Sequence, residues 1–277
     1  MLSRDRLKVL ERIKEYEKKG KFNLDVEDDP ELIKLEPKDV DYVREKISSK
    51  IKTFIANKMA INYYEKKIAN KEFEIEKIIG LENFNLVKDK GVIITCNHFS
   101  PNDNYAVYRA LKSEFKKGQY LYKVIKEGNF TAHKGILGFF FRNCNTLPLS
   151  SNVATMIKFL KSVELLLKNG EKILIYPEQS MWWNYIKPRP LKIGAFNIAS
   201  KFKVPILPIF ITMKDGDKIL SDGSLSQKYT VNIGAPIFTD DALSEKENVK
   251  IIMEKNFEFC KNTYQDFYKK ELCYGEE

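Results

Sequence analysis

The sequence predicts an α/β fold: a mixed, mostly parallel sheet flanked by helices, with an N-terminal helical segment. Three observations predict it. From Phe84 onward short apolar runs alternate with amphipathic stretches of helix length, the pattern of strands joined by crossover helices. Two of those runs end directly in polar motifs, Asn97-His98-Phe99-Ser100 and Pro177-Glu178-Gln179-Ser180, and α/β sheets open their crevices at strand ends. No internal repeat or low-complexity segment interrupts the alternation.

Residues 1–22 read as a basic amphipathic helix, with Leu7, Leu10 and Ile13 on one side; core packing and membrane contact are both open to it. Residues 23–41 turn acidic and contain Pro30 and Pro37, a connector composition. Val43, Ile47, Ile51, Phe54, Ile55 and Met59 then recur at spacings of three and four, which predicts a long amphipathic helix toward Tyr64. Strands are expected at 85–88, 91–96, 119–125, 172–176, 205–212 and 229–234, and helices at 102–116, 130–142, 153–168 and 191–202. A charged terminal helix occupies 241–270. The chain divides into an N-terminal helical segment, 1–80, suited to membrane-surface contact, and an α/β domain with its C-terminal helix, 81–277.

At 277 residues and 43% hydrophobic content, the chain can bury one large core, with or without a small appendage. Its four cysteines are far apart, with no Cys-x-x-Cys and no leader-like start, which favours a reducing cytoplasm. That spacing and two isolated histidines also argue against a metal site. No apolar run approaches the roughly 18 residues needed to cross a bilayer. The net charge of +9 suits nucleic acid, the anionic face of a membrane, or simple solvation of a basic surface. Without an aromatic-basic RNA motif or a helix-turn-helix signature, the membrane ranks above nucleic acid, and no nucleic-acid partner is expected.

His98 is one of two histidines and stands five residues before Asp103. A neutral imidazole held by a carboxylate takes a proton from an alcohol near pH 7. Ser100-Pro101 reads as a helix start, with Ser at the cap and Pro at the first helical position. Asp103 then falls where an acid reaches back to the cap backbone, so capping and catalysis are both open to it. Cys96 lies close enough to suggest a Cys-His scheme, but two residues away on a strand it reads as core packing.

With the second motif added, the chain resembles the glycerolipid acyltransferases typified by 1-acylglycerol-3-phosphate acyltransferase. The family's Asn-His-x-Ser with an Asp five after the His stands as Asn97-His98-Phe99-Ser100-Pro101-Asn102-Asp103. Its Phe-Pro-Glu-Gly-Thr-Arg-Ser block looks like Tyr176-Pro177-Glu178-Gln179-Ser180-Met181-Trp182. Lys192-Ile193-Gly194-Ala195-Phe196 and the Val204-Pro205-Ile206-Leu207-Pro208 strand follow in the family's order. The similarity covers roughly residues 80–240.

The resemblance implies transfer of a fatty acyl group from a thioester, acyl-CoA or acyl-carrier protein, to a hydroxyl of a lyso-lipid or polyol acceptor. It implies no metal and no cofactor beyond the donor as co-substrate, and a peripheral place on the inner face of the cell membrane. It assigns catalysis to His98 and Asp103, and substrate binding to Asn97, Ser100, Lys126, Glu178, Ser180 and Lys192. Glu178 is expected to position the acceptor or order its loop rather than carry protons. Phe139, Phe140 and Phe141 suit an acyl groove or plain helix burial, and Trp182 and Trp183 an interface or a cover over the acceptor.

Two departures stand out. The family's third-block Arg falls on Met181, and its second-block Arg is missing from Thr146-Leu147-Pro148-Leu149-Ser150-Ser151. Guanidiniums grip phosphate monoesters in bidentate fashion, so the two losses bear on the identity of the acceptor, which the sequence leaves open, more than on the reaction. The same loss motivates one alternative, a catalytically weak or inactive lipid- or anion-binding module on this fold; the net charge of +9 motivates a second, a nucleic-acid-binding protein.

Overall fold

The computed structural model describes residues 2–28 and 32–275. Met1 of the expected first helix, Asp29, Pro30 and Glu31 of the connector, and Glu276 and Glu277 lie outside the described residues. In chain order the elements are α1 (Arg4–Lys18), α2 (Ile47–Ala69), β1 (Phe73–Ile79), α3 (Leu81–Asn85), β2 (Val92–Thr95) and α4 (Asp103–Leu111). Then come β3 (Leu121–Ile125), α5 (Glu127–Thr131), α6 (Gly135–Asn143), β4 (Thr146–Pro148), α7 (Val153–Lys168) and β5 (Lys172–Ile175). α8 (Gly194–Phe202), β6 (Ile206–Ile219), β7 (Leu225–Ile233) and α9 (Glu245–Tyr268) complete the chain.

The strands form one sheet in the order β1-β7-β6-β2-β5-β3-β4. Only the β6–β7 hairpin is antiparallel; every other neighbouring pair is parallel, which is the mixed, mostly parallel α/β sheet that the sequence predicts. Successive strand residues feed opposite cores, which is why the central strands read as unbroken apolar runs. Ile94, Leu174 and Leu207 pack with Tyr105 and Leu111 of α4 on one face. Ile93, Ile173 and Ile206 pack with Phe159 and Val163 of α7 and Phe196 of α8 on the other.

Two expectations of secondary structure are corrected, and two strands, β1 and β4, join those expected. Residues 85–88 are not a strand: Asn85 ends the short helix α3 and 86–88 are the turn after it, with Phe84 and Val87, three apart, buried together. The edge strand is instead β1, whose charged alternation Glu74-Ile75-Glu76-Lys77 suits a strand that faces water on one side. The helix expected over 130–142 is two helices. Gly135 breaks them with φ +61°, and a Cβ on Gly138 would meet the His133 carbonyl at 2.1 Å, so the second helix folds tightly onto the turn before it.

α1 packs rather than floats. Val9 and Ile13 lie in one cluster with Trp182 and Trp183, and Trp182 is fully buried there. The two tryptophans therefore anchor the first helix and present no free interface. Behind α1, Leu24 lies at the carboxyl end of β5, Asp25 at that of β3, and Leu35 beside the ends of β3 and β4. Leu24 O accepts from Ser180 Oγ and Trp182 Nε1, and the Leu35 N–H donates to Glu127.

Candidate active site

β2, β5, β3 and β4 are parallel neighbours, so their carboxyl ends share one rim. The chain after β2 carries His98. It runs through the turn Ser100–Asp103 into α4, where the Asp103 N–H donates to Ser100 O at 3.2 Å. The helix starts at Asp103 rather than at Pro101, and Ser100 is the turn's first residue, its Oγ accepting from Asn102 N. The backward reach of Asp103 is present all the same: Oδ2 accepts from the N–H groups of Phe99 and Ser100, both at 3.2 Å.

That same Oδ2 lies 2.8 Å from His98 Nδ1. Asp103 is completely buried, whereas the His98 side chain is 23% exposed. A carboxylate oxygen already accepting two backbone N–H bonds is the ionised form, so Nδ1 carries the proton and donates. Nε2 is left as the basic nitrogen. Capping and imidazole orientation are thus done by one oxygen, and the two readings of Asp103 are compatible.

The other oxygen of Asp103 accepts from Tyr176 Oη at 2.6 Å. The Tyr176 ring stacks on the imidazole with centroids 3.9 Å apart and planes 15° apart. Burial first, and then the Asp103 charge, push the Tyr176 phenol well above its ordinary value, so it stays a neutral donor. Sequence reasoning passed over this residue. The signal was present: the related block has Phe where this chain has Tyr176, and the added hydroxyl needs a partner.

Glu178 orders the loops. One oxygen accepts from Arg189 N at 2.9 Å; the other accepts from His98 N at 3.2 Å and from Arg189 Nη2 at 3.0 Å. Arg189 also donates to the carbonyls of His98 and Ser180 and lies over the Trp182 ring, 4.8 Å from its centroid. The pair is nearly sealed from solvent, at 1% and 4% side-chain exposure. His98 is therefore held at Nδ1, at its backbone N–H and at its carbonyl.

The remaining residues named from the sequence disperse. Asn97 is buried and ties the end of β2 to β6, donating to Ile211 O at 3.0 Å and accepting from Ile211 N at 2.8 Å. Ser100 Oγ receives Tyr229 Oη at 3.3 Å. Ser180 Oγ is turned to Leu24 O. Lys126, at the end of β3, pairs with Asp25 of the connector. Lys192 is exposed and reaches the rim only through its backbone N–H, which donates to Pro177 O at 2.8 Å. Cys96 is core: it is buried in the α4-side cluster, and burial raises its thiol far above the ordinary range. Phe139, Phe140 and Phe141 are half-buried on α6. Among the described residues, no group of three or more His, Cys, Asp or Glu is gathered to hold a metal ion.

The mixed, mostly parallel α/β sheet thus carries a buried carboxylate and an orientated, partly exposed imidazole on its carboxyl rim. Residues 77–212 match the family model described as Acyltransferase, and this stretch belongs to the acyltransferase family, as the motifs suggested. Among solved structures, the chain is similar to the 1-acyl-sn-glycerophosphate (LPA) acyltransferase PlsC from Thermotoga maritima. Their TM-score is 0.53 and their identity 19%, with 84% of this chain and 87% of that chain covered. That likeness is one of fold. No curated protein sequence matches significantly.

Proposed function

We propose that this protein transfers a fatty acyl group from a thioester, acyl-CoA or acyl-carrier protein, to a hydroxyl of a lyso-glycerolipid or related polyol. The observation that carries the reading is the His98 Nδ1–Asp103 Oδ2 contact at 2.8 Å on the rim of an acyltransferase-family domain. His98 Nε2 takes the acceptor's hydroxyl proton as its oxygen attacks the thioester carbon. The tetrahedral intermediate collapses, the C–S bond breaks, and the imidazolium returns the proton to the leaving thiolate. Asp103 stabilises the imidazolium in between, contributions of the kind that together give roughly 10²–10⁴-fold. The thioester brings its own activation, so the scheme needs no further cofactor.

Free-thiol release from both donors, wild type against His98→Ala, tests the reading, with products from a panel of lyso-lipids and polyol phosphates identified by mass spectrometry. A fall of about 10³-fold in the variant is expected. Equal background in both proteins would leave the inactive binding module as the better account.

A lipid acceptor calls for contact with a membrane, and no described helix is long and apolar enough to cross one. Of the two candidate helices, α1 is packed against Trp182 and Trp183, and α2 is the one with an exposed apolar face. Ile47, Ile51 and Phe54 are 76%, 54% and 60% exposed on α2, and Ile136 is 62% exposed on the adjoining α6. Between Glu45 and Glu65 the chain has four lysines and no acid, which matches an anionic lipid surface. Co-sedimentation with phosphatidylglycerol vesicles should fall for Ile51→Ser/Phe54→Ser; unchanged binding would remove α2 from this role. Truncating residues 1–80 is not a usable test, because it deletes β1 from the sheet.

A further inference from the structure

The turn that delivers Asp103 is also gripped by α2. Tyr64 Oη donates to Pro101 O at 3.1 Å, and Lys67 Nζ donates to Asn102 Oδ1 at 3.2 Å. The Tyr64 ring stacks on Tyr105 of α4, with centroids 4.6 Å apart and planes 11° apart, and Tyr105 Oη donates to Glu65 at 2.7 Å. Residues from about one turn of α2 thus hold the chain on both sides of Asp103. One of these contacts runs against the local stability of α4. Asn102 is its N-cap residue, and a cap asparagine ordinarily turns its side-chain oxygen to the N–H groups of the first turn. Here α4 has no side-chain cap, and that oxygen goes to Lys67. Lys67 also brings a cation to the amino end of a helix, where the macrodipole disfavours it. What the contact fixes is the backbone at 101–102. Asp103 Oδ2 meets His98 Nδ1 and the N–H groups of Phe99 and Ser100 only while this turn keeps its shape.

We propose that Tyr64 and Lys67 are positioning residues for acyl transfer: from α2 they hold Pro101 and Asn102, and through that turn the Asp103 carboxylate, in line with the His98 imidazole. The proposal rests on the acyl-transfer reading and deepens it. Neither residue touches the reacting atoms; each acts through Asp103. The sheet holds the ends of the same turn, through Tyr176 on Asp103 Oδ1 and Tyr229 on Ser100 Oγ. α2 adds the contacts to its two middle residues. The helix has anchors of its own elsewhere: Arg44 donates to Thr53 Oγ1 at 3.0 Å and to Thr146 O at 3.3 Å, and Asn57 Nδ2 donates to Asn145 Oδ1. Losing the Tyr64 and Lys67 hydrogen bonds therefore loosens the turn without releasing α2.

The chain has two histidines, so NMR of protein labelled with ¹⁵N-histidine, assigned with His98→Ala, reads the His98 tautomer directly. At a pH where the imidazole is neutral, wild type should show one tautomer, protonated at Nδ1. Tyr64→Phe/Lys67→Met keeps the ring and the length of the stem but removes both donors. It should show a mixture of tautomers, and thiol release should fall at least about tenfold in kcat with the donor KM within about twofold. In Asp103→Asn the same two changes should cost less than about twofold, because the route they act through is already cut. Lys67→Arg keeps a donor in place and should keep the single tautomer. A role in stability alone would lower the midpoint of thermal unfolding and leave tautomer and kcat as they were, and that result overturns the proposal. An equal loss in the Asp103→Asn background overturns it too, as does a tautomer mixture already present in wild type. Should the double variant fail to fold, Tyr64→Phe alone decides by the same tautomer reading. Lack of thiol release from wild type, with the single tautomer still lost in the variant, counts against acyl transfer and not against the positioning.

Discussion

His98 and Tyr176 lie ring on ring, 3.9 Å between centroids, and a single carboxylate, Asp103, hydrogen-bonds both. The two oxygens of Asp103 are divided between them, and Oδ2 also receives two backbone N–H groups. The imidazole is fixed in position and tautomer before any substrate arrives, which lowers the reorganisation needed for proton transfer.

Asp103→Asn keeps the shape of the side chain but cannot hold Nδ1–H as an ionised acceptor. Thiol release should fall about 10²–10⁴-fold, with His98→Ala at least as severe and the double variant little worse than either. Additive losses would show that the two residues do not act as a unit.

Tyr176→Phe removes one donor from Asp103 without opening the stack. Asp103 Oδ1 then lacks that donor, while the Oδ2–Nδ1 contact that orients the imidazole remains. The fall in kcat at the optimum should stay within about tenfold. A fall as large as that of Asp103→Asn would show that the Tyr176 hydroxyl is as necessary to the imidazole as Asp103 itself.

Arg189→Ala leaves the Glu178 carboxylate buried and without its cation. Urea unfolding should show a loss of about 3–5 kcal/mol. Replacing both partners, Glu178→Gln/Arg189→Met, should be milder than Arg189→Ala alone, because no uncompensated charge remains inside. If the double variant is the worse of the two, the pair contributes net stability beyond avoiding an orphan charge.

Burial pushes the phenols of Tyr64 and Tyr229 up to about 12, and each donates into the His98–Asp103 turn, Tyr64 to Pro101 O and Tyr229 to Ser100 Oγ. A group whose pKa is raised on folding contributes stability that is complete below its unfolded value and lost as pH rises through the folded one. Thermal stability should therefore fall from about pH 10 toward pH 12, with phenolate absorbance appearing together with the loss of circular dichroism. Phenolate forming well before the helical signal falls would mean that these tyrosines titrate in the folded state.

The parts of the fold legible in the sequence were those in which one periodicity ran uninterrupted. β2 and β5, buried on both faces, read as apolar runs, and α7 begins and ends where its amphipathic pattern does. β1 escaped because an edge strand carries charges on a short alternation, and α5 and α6 ran together because a glycine break leaves hydrophobic spacing intact. Within the site, His98 and Asp103 were legible because their five-residue spacing is closed by one local turn.

From the chain alone came the α/β class, the His98–Asp103 pairing and the ends of the strands that carry it, since each depends on contacts within a few residues or on a repeating pattern. Tertiary structure decided the rest. Arg189 reaches Glu178 across eleven residues, Tyr176 reaches Asp103 across seventy-three, and Asp25 reaches Lys126 across one hundred and one. Such pairings leave no periodic trace: a buried charge or hydroxyl must find a partner, but which partner is set by the strand order that brings distant ends to one rim.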